Sequence, residues 1–137
     1  MNKNALLDAF IRTFFHPSAR RRVLSLIETP RGQERFRRGL DHVDPDDLIH
    51  ANLLAPSQQN PDEILRLLKE WTKSDLCLLV STNSKLNFLE MSLGDALDAT
   101  VGSGFGTLVI PTPFSYLAYY ESEELGTRYI LRRPPTS

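Results

Sequence analysis

Asp75-Leu76-Cys77-Leu78-Leu79-Val80-Ser81-Thr82 decides how the rest of the chain is read. Its five consecutive apolar residues, Leu76 to Val80, leave no polar face. A strand made of them has to be covered on both sides, so the stretch predicts the central strand of a sheet. It is entered through Lys73-Ser74-Asp75 and left through Ser81-Thr82-Asn83-Ser84, both polar.

Upstream, the spacing is helical. Leu6, Leu7, Phe10, Ile11 and Phe14 predict a first helix over Lys3–Phe15, stopped at His16-Pro17 because the residue before proline avoids helical backbone. Ser18 is the expected cap of a second helix, Ala19–Glu28, burying Val23, Leu24 and Ile27. Thr29-Pro30 opens a third, to about His42. Asp44-Pro45-Asp46-Asp47 predicts a short helix reaching about Leu53. Asn60-Pro61-Asp62-Glu63 opens another, with Ile64, Leu65, Leu68 and Trp71 as its inward stripe.

Downstream, Phe88–Met91 reads as a short extended piece, and Ser92-Leu93-Gly94-Asp95 caps a helix ending at Gly102. Thr107–Ile110 is a second buried strand, and this strand-helix-strand order predicts a right-handed parallel crossover. Ser115–Glu121 and Thr127–Arg132, with a turn between, form an antiparallel hairpin. The expected fold is α+β: a helical N-terminal half of four to five short helices packed on a small mixed sheet of four to five strands. It forms one domain, residues 1–132, with a disordered tail at 133–137.

The 137 residues suit one domain, and 17 acids against 16 bases do not advertise a polyanion partner. The charge is uneven. Residues 1–42 hold nine Lys+Arg and four Asp+Glu, whereas residues 43–75 hold three and seven. Cys77 has no second cysteine to pair with and lies inside the apolar core strand, which suits a reducing cytoplasm. No apolar run approaches the roughly 20 residues of a membrane span. Asp8 and Arg12 interrupt the N-terminal apolar stripe, against a signal peptide.

Three groups of residues bear on function. Tyr116, Tyr119, Tyr120, Glu121, Glu123 and Tyr129 predict an aromatic and acidic hairpin surface at a sheet edge, suited to a protein partner or a second copy of the chain. Arg20, Arg21, Arg22, Arg31, Arg35, Arg37 and Arg38 form the alternative, a basic face for nucleic acid. Glu90 and Glu121 are the carboxyl candidates for catalysis between helices and sheet, and Asp46 and His50, four apart, the weak metal candidates. The glycines of Gly102-Ser103-Gly104-Phe105-Gly106 follow a helix and precede a strand, the reverse of a phosphate loop, so they read as structural. No nucleophile has a base near it in sequence, and no cofactor is implied. The leading expectation is an adaptor, regulator or neutralising partner that acts through a binding surface.

Overall fold

In the computed structural model, which describes residues 2–124 and 126–134, α-helices cover both faces of one antiparallel sheet. The helices are α1 (Lys3–Phe14), α2 (Pro17–Leu26), α3 (Pro30–Gly39), α4 (Pro61–Lys69) and α5 (Leu93–Thr100). The strands are β1 (Ala51–Leu53), β2 (Leu76–Ser81), β3 (Glu90–Ser92), β4 (Thr107–Thr112), β5 (Leu117–Glu121) and β6 (Arg128–Arg132). They lie in the order β1-β6-β5-β4-β2-β3. The α+β class holds. The sheet has six strands, one more than expected, and is antiparallel throughout rather than mixed.

The apolar run of β2 has the predicted cause. Leu78 and Val80 face a core built with α1–α3, whereas Cys77 and Leu79 face a second core built with α4 and α5. Helices thus cover both faces, as the unalternating run of β2 predicts. The same alternation sends Leu108, Ile110, Ala118, Tyr120 and Leu131 to the first core and Val109, Leu117, Tyr119 and Ile130 to the second.

Two expectations fail here for one reason: the pairing of short strands is not written in their own sequence. β2 and β4 are antiparallel neighbours, not a parallel pair. The chain turns after β2 and runs back along it as β3. The crossover is therefore β3–α5–β4, and β2 lies between the two co-directional strands. Likewise, no helix follows Asp44. Pro45–Asp47 is a single 3-10 turn, and the segment beyond it becomes β1, paired with β6.

Caps set the helix starts. Asn2, Thr29, Asn60 and Ser92 each accept a backbone N–H of the first turn. His16, not Ser18, does this for α2: its ring nitrogen accepts from the Ser18 N–H, and Pro17 takes the first helical position. Gly32 is required by packing, because a Cβ there would stand 1.8 Å from the Leu26 carbonyl oxygen. Arg37 and Asp41 tie α3 to the far end of the central strands. Arg37 donates to the Ser81 and Thr82 carbonyls, and Asp41 accepts from the Thr82 hydroxyl and the Gly106 N–H, both at 2.8 Å. Arg133, placed at the start of a disordered tail, is held: its N–H donates to Tyr116 and its guanidinium lies 4.0 Å from that ring's centre. Residues 135–137 of that expected tail lie outside the described residues. None of the described helices is long and apolar enough to cross a membrane.

Candidate functional site

The hairpin residues do not form a surface. β5 and β6 are interior strands, flanked by β4 and β1, and they are covered on both sides. Tyr119 and Tyr120 are fully buried, Tyr129 is half-buried and stacks on Tyr120, and Glu121 is 1% exposed. Only Tyr116 and Glu123 are exposed, and Glu123 pairs with His42. The expected patch is correct in composition but lies inside the fold.

Around Glu121 the sheet carries a buried polar row. Its register sets Ser81 beside Thr107, Thr107 beside Glu121 and Glu121 beside Arg128, all buried and on the α5 side. One carboxyl oxygen of Glu121 accepts from the Tyr119 hydroxyl at 2.7 Å and the Gly102 N–H at 3.1 Å, and the Arg128 Nε lies 3.4 Å away. Arg128 reaches on to Gln59 at 3.1 Å, and Gln59 donates to the Leu54 and Gly126 carbonyls. Burial and then the neighbouring Glu121 push the Tyr119 phenol upward, so the hydroxyl stays a donor. Gly102 and Gly104 have φ of +79° and +84°, which explains the glycine-rich turn that brings the Gly102 amide to Glu121. This is a network that fixes strand register and the end of α5.

Glu90 does not join it. It sits exposed on the edge strand β3, and two strands separate it from β5, on the order of 14 Å at ordinary strand spacing. The pair cannot share one reacting atom. Asp46 and His50 lose their common helical face, since no helix runs there, and His50 has a φ of +61°. Among the described residues no three metal-ligating side chains cluster.

The arginines are on the helical layer, and many are answered locally. Arg12 pairs with Asp8, Arg22 with Asp47, and both Arg37 and Arg38 with Glu34. Hydrogen bonds from Arg37 hold Glu34 below the usual carboxylate range. Arg20 donates to the Phe15 carbonyl. Among the described residues Arg20, Arg21, Arg31 and Arg35 make no ion pair.

An exposed apolar surface lies at the β1 end of the sheet. Leu53 is 63% exposed, and Trp71, expected inward, is 37% exposed just beyond α4. Between them runs a groove of about 440 Å³ whose walls include Leu54, Leu67, Ile130 and Arg132. His50 and Leu54 bond to β6 through the Arg132 N–H and the Arg128 carbonyl. Ladder alternation then turns the N–H and C=O groups of Ala51 and Leu53 outward, where β1 has no neighbour. Sequence reasoning missed this site. The one local signal was the short apolar stretch Leu53-Leu54 just before a proline-containing connector.

Comparison with protein-family models, curated proteins and solved structures found no match for this chain.

Proposed function

We propose that the protein acts by binding a protein partner, and that the contact surface is the β1 edge with its adjoining groove. The observation that carries this is an open strand edge next to two large exposed apolar side chains, Leu53 and Trp71. Proteins usually blunt such edges with charge, proline or cover, because an open row of backbone donors and acceptors invites another strand. Here the edge strand Ala51-Asn52-Leu53 carries no charge. A hairpin-face contact is given up because its side chains are interior, and a carboxyl-based reaction because Glu90 and Glu121 stand apart.

The test is site-specific photo-crosslinking in cells. A crosslinker at Leu53 should yield a discrete adduct with another polypeptide, lost on adding Trp71→Ala. The same group at Ser25, exposed on α2, should yield none. Equal labelling at both positions, or none at Leu53, would sink the proposal.

A further inference from the structure

Among the described residues, the walls of the β1 groove contain no aspartate or glutamate, and their one fixed cation is Arg132. Arg132 follows the alternation of β6 onto the side of Ile130, and its guanidinium lies 4.5 Å from the centre of the Trp71 ring. Among the described residues neither Arg132 nor Arg133 makes an ion pair. Stacking uses the flat face of a guanidinium. The N–H groups lie in its plane, so an arginine held on an indole still presents a fork that matches a carboxylate.

We infer that the β1 edge takes up an extended acidic segment of a partner protein as a further strand, with a carboxylate of that segment against Arg132. This rests on the β1 edge being the contact surface. The backbone groups of Ala51 and Leu53 supply the ladder. Alternate side chains of the incoming strand then fall on the groove side, where an apolar one meets Trp71 and Leu67 and an acidic one meets Arg132. A second copy of the chain fits less well. Its own β1 offers no carboxylate, and self-pairing would bring together two arginine-bearing grooves.

A displayed library of random ten-residue segments, selected against the whole protein, tests this. The selected pool should be enriched in Asp and Glu between apolar residues. Its members should bind at least tenfold more weakly to Arg132→Glu, and versions with Lys in place of the acids should recover binding to that variant. Arg132→Gln, a milder change, should weaken the acidic segments without reversing the preference. Bound segments should slow hydrogen exchange at the Ala51 and Leu53 amides, which a ligand lying only in the groove would leave fast. A neutral or basic pool, no enrichment, indifference to Arg132, unprotected amides, or concentration-dependent dimers in place of segment binding would each overturn the inference. If the Leu53 crosslink persists while Arg132 proves irrelevant, the acidic partner is wrong and the β1 contact stands. If the crosslink itself is absent, both fall.

Discussion

The two faces of the sheet are built on different principles. Under α1–α3 the contact is apolar and aromatic, with Phe10, Phe14, Phe15 and Phe36 packed in tilted and edge-on pairs. Under α4 and α5 the aliphatic core gives way, at one end, to the row Ser81, Thr107, Glu121 and Arg128. An apolar face tolerates neighbours of roughly the right volume, whereas a buried ion-paired row is satisfied in one register only. A slip of one residue in β5 would put Glu121 among the phenylalanines. The first face holds the larger buried apolar cluster, and the second adds a polar row that discriminates register.

The comparison can be broken from either side. Phe14→Ala should have the largest effect, about 3–5 kcal/mol lost in denaturant unfolding, because it removes a fully buried ring and leaves a cavity. A loss below about 1 kcal/mol would show that the helical layer does not anchor the sheet. Glu121→Ala should cost about 3 kcal/mol by leaving Arg128 buried without its partner. Replacing both, Glu121→Leu with Arg128→Met, should recover much of that loss while weakening cooperativity. If the double variant were as sharp in its transition as the parent, the row would not be specifying register.

Tyr120 sharpens the contrast, since it is the apolar face's one buried phenol bonded to the backbone, between the Leu40 carbonyl and the Val43 N–H. Tyr120→Phe should cost about 1 kcal/mol. Burial pushes the Tyr120 phenol up to about 12, against a model-peptide value of 10. The folded state then keeps a proton that the unfolded chain sheds, so this contribution is whole below pH 10 and fades as pH rises toward 12. Stability measured across that window should fall less steeply in the phenylalanine variant, and an identical slope would contradict the burial argument. The smallest effect is a silence. Cys77 is fully buried with its thiol pushed up to about 12 by burial, so native protein at pH 8 should not react with a disulfide reagent except as fast as it unfolds.

What could be seen in advance followed from local signals. The β2 run, the α1 stripe and the X-Pro caps at Thr29 and Asn60 are local, and each element formed where its chemistry put it. β1 and β3 were invisible or faint because each is three residues long and stabilised by a neighbour rather than by its own pattern. Reading β3 as an extended piece but not pairing it with β2 reversed the inferred direction of β4. Missing β1 turned β6 into an edge and so placed a tyrosine surface where there is core. The candidate site suffered most, since Leu53, Trp71 and Arg132 come together only when a strand near residue 52 docks beside one near residue 130.

That last pairing has a consequence for how the protein is made. β1 leaves the ribosome well before its one partner strand, β6, since Asn52 pairs with Ile130, 78 residues later. The helices α1–α3 can already pack on β2, β4 and β5, but until β6 emerges the Ala51–Leu53 segment is a strand without a neighbour. Closing so long a loop slows folding, so β1 should dock after the rest of the α1–α3 face has formed. The edge on which a partner would build is then set in place only when β6 joins the sheet and β1 docks beside it.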